Sequence, residues 1–365
     1  MAINSMPGWD ECQSTIVNEN MDYGEIIQQN IKHHARPSWW CKYAFHFTDV
    51  SNAASILRSG RLYSRRQALN HNVMMNDNAS RQVIDITDSE VISNVRFYFR
   101  PQTPTQYYNE GYKHPLLRFH GDPNANVPVP VFFLFDLEKL LTHPDVEFSE
   151  VSQAGHRATT CKGIEAFSRF NFNYIYDNTY DNFSITKNYR QAEILIPNHI
   201  DINNYLSYVL CRNSIEQTTL LNLLRSGSAD ALEQYKNFIR VCKEDVFYDN
   251  GIYVNSCECN NGSVYVTLSD SYESYQYNRR EKLKRGLTEL RLVEASICIE
   301  WLDEGDCMLK QARAAIQVDI QNTKELHLRS LPVIPGATKL GIRVFFEKKL
   351  MCYVIRSLMP SELLE

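Results

Sequence analysis

The segment that most constrains this chain is residues 189–197, YRQAEILIP, where one carboxylate lies within an otherwise apolar, strand-like run. A strand with neighbours on both sides is nearly continuously hydrophobic, so an acid within it must face outward or be held in a cleft. Pro197 ends the run, which places Glu193 near the start of a short strand, where side chains can open into a site. The alternative is that Glu193 faces water or pairs with Arg190 at the surface.

Composition indicates an ordinary globular protein. The chain has 365 residues, of which 44% are hydrophobic and 22% charged, and this length suits two domains. The net charge of −5 argues against an overall positive electrostatic potential, but it does not exclude a basic groove on one face of the protein. The sequence lacks an export signal and any apolar run near the ~18 residues of a membrane helix. We therefore expect a cytoplasmic protein without membrane contact.

The sequence contains no recognised motif for binding a structural metal or a phosphate group. The ten cysteines are scattered, with one CxC and no CxxC pair, and are typical of reduced cytosolic thiols. Cys257 and Cys259 have no second pair at structural-zinc spacing, so we predict no metal site. The phosphate-binding motifs GxxxxGK[ST] and GxGxxG are both missing from the sequence. The sequence therefore predicts neither a P-loop nor a Rossmann-type dinucleotide site.

Residues 1–38 are predicted to be a polar N-terminal extension with a short helix at 22–32. Beyond them, hydrophobic periodicity predicts a first domain that contains both strands and helices. The predicted elements are strand 44–49, helix 52–58, strand 62–64, strand 95–100, strand 127–135, helix 136–141, the Glu193 strand, and helices 215–225 and 229–246. Residues 65–94 and 148–187 have no sustained period and are predicted to be long, variable segments.

The C-terminal part has a different pattern. Turn signals bound strands at 252–257 and 263–268, and a charged helix follows at 273–285. Beyond it, alternating apolar and polar residues at 290–301, 308–320, 325–331 and 339–357 predict a small β-sandwich. We place the domain boundary near residue 275, which gives a core domain at 39–275 and a β-rich accessory domain at 276–365. The fold class is α+β.

Three chemically capable positions occur in a fixed order along the first domain. His46 and Thr48 share one face of the first strand, Tyr98 lies in an aromatic strand between Arg96 and Arg100, and Glu193 begins a late strand. A strand His or Tyr is usually a core residue, so no single position establishes a site.

The order of these residues resembles the ADP-ribosyltransferase arrangement, in which NAD lies across a split β-sheet. More closely, the sequence resembles the DarT family of DNA ADP-ribosyltransferases, toxins that modify bases in single-stranded DNA. The matching segments are FHFTDVSN at 45–52, FYFRPQTP at 97–104 and RQAEIL at 190–195, with a weaker match of IRVC at 239–242 to the family's terminal strand. The resemblance covers residues 40–250 and leaves out the β-rich C-terminal part.

The resemblance implies an NAD co-substrate and a role for each matching residue. Hydrogen bonds to the adenosine or amide end of NAD would come from His46 and Thr48, with Asn52 close to the same pocket. Arg100 belongs to the same predicted NAD-binding set. Tyr98 would stack on the nicotinamide. Glu193 would bond a ribose hydroxyl, stabilise oxocarbenium-like charge and accept a proton from the base. Glu193 and Tyr98 are the predicted catalytic residues.

Two parts of the family pattern are less defined in this chain. The family has an arginine near the catalytic centre, and the candidates for it are Arg65, Arg66, Arg81 and Arg96. A loop at about 155–187 would recognise the substrate by stacking on an unpaired base, through the aromatic side chains Phe170, Phe172, Tyr174 and Tyr176.

Several functional alternatives remain open at the level of sequence. The predicted substrate is single-stranded DNA, with RNA or protein as the alternative targets, and a non-catalytic binding module is a third reading. Gln191 occupies a position that is acidic in many protein-modifying relatives, which favours a base target. The predicted role is that of a toxin in a toxin–antitoxin or phage-defence system, with an antitoxin or regulatory protein as partner.

Overall fold

In a computed structural model, the chain is described at residues 21–34, 37–75, 89–122, 124–153, 159–179 and 182–358. The first domain is built on a seven-stranded sheet. In spatial order its strands, numbered along the chain, are β5 (Glu147–Ser149), β6 (Glu193–Pro197), β3 (Asn94–Tyr98), β1 (Tyr43–Asp49), β4 (Pro130–Asp136), β8 (Leu206–Cys211) and β9 (Ile239–Val241). All neighbours are antiparallel except β8 and β9. A separate two-stranded pair joins β2 (Arg61–Tyr63) to β7 (His199–Asp201).

Helices cover the sheet and connect its strands. They are α1 (Tyr23–His33), α2 (Val50–Ser59), α3 (Arg65–Asn70), α4 (Ser89–Ile92), α5 (Pro104–Asn109), α6 (Leu137–Leu141), α7 (Ile164–Ser168), α8 (Phe172–Tyr176), α9 (Phe183–Thr186), α10 (Ser214–Gly227), α11 (Ala229–Tyr235) and α12 (Tyr272–Lys284). Asp49 caps α2 by accepting from the Ser51 N–H, and Gly60 ends it with a φ of 65°.

The sheet is split between its two halves. The central strand β1 pairs with β4 along its whole length, whereas β1 and β3 pair only at Phe45 and Tyr98. On the far side β3 pairs fully with β6, and Tyr98 lies opposite Glu193. The divergence of β1 from β3 opens a cleft, as the predicted split-sheet fold requires.

The described part of the predicted N-terminal extension, residues 21–34, packs against the core of the first domain. The predicted helix at 22–32 is present as α1, which begins with a capping box between Asp22 and Glu25. Ile26 and Ile27 on its inner face are buried in the main hydrophobic core. Amphipathic spacing therefore overrides the polar composition of residues 21–34, while residues 1–20 lie outside the described part.

Two other predicted elements differ from the structure. The segment 65–94 contains α3, capped by Ser64, and α4, so it is not a continuous loop where it is described. The helix predicted at 229–246 ends at Tyr235, and β9 follows it. Ile239 completes the buried edge of the sheet, and this burial outweighs the apparent helical spacing.

The accessory region consists of antiparallel sheets, as predicted. One sheet has the order β10 (Val254–Asn260), β11 (Ser263–Leu268) and β14 (Glu325–Leu328), and the other has the order β13 (Met308–Val318), β12 (Val293–Leu302), β15 (Lys339–Phe346) and β16 (Lys349–Ser357). Both sheets contribute to one buried core, which also includes Tyr112 and Ile215 from the first domain. The domain boundary near residue 275 stays a prediction. The β10–β11 hairpin, which precedes that position, places its apolar face in this second core.

Buried polar contacts join the accessory region to the first domain. Glu347, after β15, accepts from the Tyr112 hydroxyl at 2.8 Å and from Arg118 Nη2 at 2.5 Å. On β16, the backbone N–H of Tyr353 donates to Thr219 of α10 at 3.0 Å. Within the junction, the carboxylate of Glu110 has no exposed surface and accepts from the backbone N–H groups of residues 248 and 249.

These contacts predict that the first domain does not fold alone. A chain ending after residue 245 would remove the backbone donors of residues 248 and 249 from Glu110 and the carboxylate of Glu347 from Tyr112, and it would expose apolar surface. A buried polar group that loses a partner costs about 1–3 kcal/mol. We expect this shortened chain to elute as aggregates and to lose its near-ultraviolet circular dichroism. A monomeric species with native near-ultraviolet signal would contradict this prediction.

Two further properties concern the described residues only. The longest described helix, α10, has 14 residues, and no described helix has both the length and the apolarity needed to cross a bilayer. The nine cysteines in the described ranges are all free thiols. Within the same ranges, no cluster of three or more His, Cys, Asp or Glu side chains is arranged to hold a metal ion.

Candidate active site

A cavity of about 630 Å³ lies in the cleft where β1 and β3 diverge, and its volume is in the range of small-molecule sites. Six of the predicted site residues line it: His46, Thr48, Asn52, Arg65, Arg96 and Tyr98. The cleft therefore brings together residues from β1, α2, α3 and β3 that are far apart in sequence.

Glu193 lies beneath the wall of this cavity and is fully buried. Arg96 binds it with a two-pronged ion pair, donating from Nε to Oε2 at 2.7 Å and from Nη2 to Oε1 at 2.5 Å. Burial alone would lower the pKa of Arg96, but the charge of Glu193, the charge interaction with Tyr98 and the hydrogen bonds to Glu193 together outweigh burial and raise that pKa. Arg96 therefore remains a cation that fixes the orientation of the carboxylate.

The segment that follows β5 supplies further hydrogen bonds to Glu193. Its Oε1 also accepts from the Ser152 hydroxyl at 3.3 Å and from the Gln153 backbone N–H at 3.4 Å. The alternative of a surface ion pair with Arg190 is wrong, because Arg190 instead pairs with Asp177 at 3.6 Å. Oε2 accepts from Arg96, and a carboxylate oxygen can accept a second hydrogen bond, for example from a ribose hydroxyl.

His46 is a neutral imidazole that bridges the split in the sheet. Burial lowers the pKa of His46 below its usual 6.5, although a hydrogen bond to the Arg96 carbonyl partly opposes this effect. The Nδ1 atom lies 3.1 Å from that carbonyl oxygen, which can only accept, so Nδ1 carries the proton. Nε2 is then an acceptor on the wall of the cavity and suits an amide or amino N–H group of a ligand.

The lowered pKa of His46 predicts a loss of stability at acidic pH. The unfolded chain binds a proton near pH 6.5 and the folded chain resists it, so the unfolding free energy falls as the pH falls from 6.5 toward the folded pKa. The pKa values of His34 and His114 are lowered as well, mainly by burial, and act in the same direction.

We expect His46→Gln to weaken this pH dependence, because glutamine can donate to the same carbonyl without titrating. The measurement is urea unfolding of both proteins at about pH 7.5 and about pH 5.5, on either side of the ordinary histidine pKa. Equal losses of stability in both proteins would show that His46 does not contribute.

Tyr98 faces the cavity beside Arg96 on the same side of β3. Burial raises the pKa of its phenol, and Arg96 only partly opposes this, so the hydroxyl stays protonated. The phenol hydrogen-bonds Thr105, whose hydroxyl is 3.5 Å from the Gln191 side-chain oxygen. The ring is therefore held in place next to Glu193, in a position that suits stacking on a flat ligand ring.

The structure separates the four candidate arginines. Arg96 contacts Glu193 directly, and Arg65 lines the cavity at the start of α3 without a described contact to the acid. Arg66 is exposed, and Arg81 lies outside the described residues. Asn52 is on the cavity wall, where its side-chain oxygen accepts from the Met75 backbone N–H at 2.9 Å.

The placement of Arg100 does not agree with the predicted NAD contact. Its side chain is buried away from the cavity lining and donates to the carbonyls of Ile175 and Asp177 and to the side chain of Asn178. Its guanidinium also lies 4.5 Å from the ring centre of Trp40. Because β3 ends at Tyr98, the strand alternation no longer applies at Arg100, which instead anchors the segment after α8.

The aromatic residues of the predicted substrate loop are mostly structural. Phe172 and Tyr176 are buried in the main core, and Phe170 packs against it. Of the four named aromatic residues, only Tyr174 is substantially exposed, at 38%, and it packs edge-on against Tyr189. The sequence could not separate these roles, because the short helix α8 turns successive aromatic rings in different directions.

Sequence reasoning also missed functional positions. Ser152 and Gln153 contact Glu193, but they lie in a variable segment with no distinguishing pattern. Tyr108 and Phe119 line the cavity as well, and their rings pack at 4.7 Å between centres. An aromatic residue in an irregular segment is one sign of a pocket wall, but the sequence does not reveal which pocket the ring faces.

The chain is similar to one known protein family and to several solved structures. The model of one protein family, described as "ssDNA thymidine ADP-ribosyltransferase, DarT", matches residues 45–240. Among solved structures, the chain is similar to Thermus sp. 2.9 DarT in complex with ADP-ribosylated ssDNA, with 13% identity and a TM-score of 0.46 over 56% of this chain and 96% of that chain. It is also similar to Thermosipho africanus DarTG in complex with ADP-ribose, with 14% identity and a TM-score of 0.39 over 50% of this chain and 47% of that chain. No curated protein matches it.

Proposed function

We propose that this chain, which belongs to the DarT family by a match over more than half of its residues, transfers ADP-ribose from NAD to a thymine base in single-stranded DNA. Family membership makes the chain an ADP-ribosyltransferase with NAD as its co-substrate. The observation that carries the proposal is the position of Glu193, which is held by Arg96 at the cavity wall and lies opposite Tyr98 in the sheet.

The residues of the cavity fit NAD as a bound substrate. His46 offers a neutral acceptor, Tyr98 offers an aromatic face, and Arg96 has N–H groups on Nη1 that the ion pair with Glu193 does not use. A neutral imidazole suits the amide or adenine N–H groups, and a ring suits the cationic nicotinamide. These residues would hold the two ends of the dinucleotide, and Thr48 and Asn52 would contribute further polar atoms on the same wall.

The transfer breaks the bond between ribose C1′ and nicotinamide and forms a bond between C1′ and a base nitrogen. Glu193 stabilises the positive charge that develops on the ribose, because its carboxylate is already oriented and shielded from water. It then accepts the proton that the base nitrogen loses. Arg96 acts as a positioning residue, since it keeps the carboxylate in one orientation throughout.

The biological role that we propose is that of a toxin under the control of a partner protein. An ADP-ribosyl group on the pairing edge of a base prevents base pairing, so the activity damages the DNA of the cell that makes the enzyme. A regulator or antitoxin that blocks or reverses the modification is therefore needed, within a toxin–antitoxin or phage-defence system.

The test is incubation of the purified protein with labelled NAD and, separately, single-stranded DNA, duplex DNA, RNA and a protein lysate. We expect label on single-stranded DNA, and homopolymers of each base should restrict it to thymine. Label on RNA or protein alone would overturn the DNA assignment while keeping the chemistry. The absence of label in every pool, together with no NAD binding, would overturn the proposed function.

A further inference from the structure

A cluster of basic side chains lies at the C-terminal end of α12, outside the segment that matches the family model. Residues 279–285 read RREKLKR, with five basic side chains and one acidic, in a chain whose net charge is −5. Arg279 and Arg280 are exposed, and the Lys284 side chain is 68% exposed. A local cluster of this kind is a binding surface for a polyanion when it lies near a functional site.

Helix α12 is fixed to the segment that forms one side of the cavity mouth. Its inner face buries Tyr277, whose hydroxyl donates to the Leu117 carbonyl at 3.0 Å. Arg285, just after the helix, donates from its guanidinium to the carbonyls of Leu116 at 2.8 Å and Arg118 at 2.6 Å. The exposed basic side chains are therefore held at a fixed place beside residues 116–119.

A continuous row of aromatic rings leads from this helix into the cavity. The guanidinium of Arg280 lies 5.7 Å from the ring centre of Tyr107, which packs edge-on against Tyr108 at 5.3 Å. Tyr108 in turn packs against Phe119 at 4.7 Å, and both of these residues line the NAD cavity. We call Tyr107, Tyr108 and Phe119 the aromatic rim.

We infer that the basic end of α12 and the aromatic rim bind the nucleotides that flank the target base in single-stranded DNA. This inference rests on the proposed function and adds a substrate-binding surface from the accessory region. Cations that track a phosphate backbone next to aromatic rings for unpaired bases are the combination that single-stranded nucleic acid requires. In duplex DNA the bases are already stacked on each other, so the rim would have no partner there.

The experiment neutralises three exposed basic residues of α12 in the full chain, as Arg279→Gln, Arg280→Gln and Lys284→Gln together. The matched control carries Lys139→Gln, Lys236→Gln and Lys310→Gln, which remove the same charge from sites that do not line the cavity. Binding of a fluorescent single-stranded DNA of about 20 nucleotides is followed by anisotropy over a series of salt concentrations, without NAD, and compared with a strand of about 4 nucleotides.

We expect the α12 variant to bind the long strand more weakly than the control variant does. The slope of log affinity against log salt should fall in magnitude by about 2, because each lost phosphate contact on a single strand contributes about 0.7. The long strand should lose its advantage over the short one, and the thermal midpoint should stay at that of the unmodified protein. In transfer assays, the KM for the long strand should rise and the KM for NAD should not.

An α12 variant with the same salt slope and long-strand affinity as the control variant would overturn the inference. Tighter binding of RNA of the same sequence, or of duplex DNA, would assign the surface to that ligand and also overturn it. Because binding is measured without NAD, it separates the two proposals. If the unmodified protein binds single-stranded DNA but does not transfer ADP-ribose to it, the proposed function is contradicted. If the α12 variant binds and modifies the long strand as the control variant does, the role of α12 is contradicted.

Discussion

Glu193→Gln is expected to lower kcat for ADP-ribosyl transfer by about a thousandfold, the order of effect of removing a general base or an electrostatic stabiliser. Glutamine keeps the shape of the side chain but loses the negative charge that stabilises the ribose and the ability to take the proton from the base. NAD should still bind, because most of the cavity lining is unchanged. The measurements are kcat with single-stranded DNA and NAD affinity by calorimetry.

The variant should also be less stable, because Glu193 is fully buried and forms both hydrogen bonds of the ion pair with Arg96. We expect a loss of roughly 1–3 kcal/mol, typical of hydrogen bonds to charged groups. Glu300→Gln is the matched control, since Glu300 is a largely buried acid of the accessory region that pairs with Arg343 at 3.1 Å. The control should lose stability and keep its kcat. Near-normal kcat in Glu193→Gln would remove the acid from the mechanism.

The second large effect is expected for Arg96. In Arg96→Lys the charge remains, but a single ammonium group cannot reproduce the two parallel bonds to the carboxylate. We expect kcat to fall by about a hundredfold, as when one preorganised catalytic contact is removed. In Arg96→Ala the buried carboxylate loses its counter-charge, which typically costs about 3–5 kcal/mol of stability. Denaturant unfolding and steady-state kinetics measure the two effects.

A double-mutant cycle separates positioning from general destabilisation. If Arg96 acts through Glu193, the kcat losses of Arg96→Lys and Glu193→Gln should not add in the double variant, because contacting residues couple. Arg343→Lys provides the control, since it alters the comparable pair with Glu300 far from the cavity lining. Fully additive kcat losses, or a wild-type kcat in Arg96→Lys, would contradict the positioning role.

The predicted elements were most accurate where local pattern and burial agree. The apolar run before Pro197 became β6 with Glu193 at its first position, and the alternation at 44–49 became β1. The helix predicted at 229–246 was wrong after Tyr235, because the chain forms the edge strand β9 there, and Ile239 at its start is buried against the sheet. A short apolar segment does not by itself distinguish a helix from a strand.

The site was only partly predictable for a related reason. Sequence order indicated His46, Tyr98 and Glu193, and the structure places all three at one cleft. Sequence could not choose among the arginines, because the choice depends on the register between β3 and β6. Arg100 was misjudged because the chain turns after β3 and directs its guanidinium to the carbonyls of the next segment.

The sequence by itself determined most of the strands and helices of the first domain, and it indicated Glu193, His46 and Tyr98 as candidate residues of an ADP-ribosyltransferase site. Those features follow from local periodicity, from the cost of an uncompensated buried charge and from the order of a few motifs. Only the tertiary structure decided that Arg96 holds Glu193, that most loop aromatic residues are core, and that α12 lies beside the cavity mouth. These contacts join residues far apart in the chain, and their geometry depends on strand register and packing that no local pattern encodes.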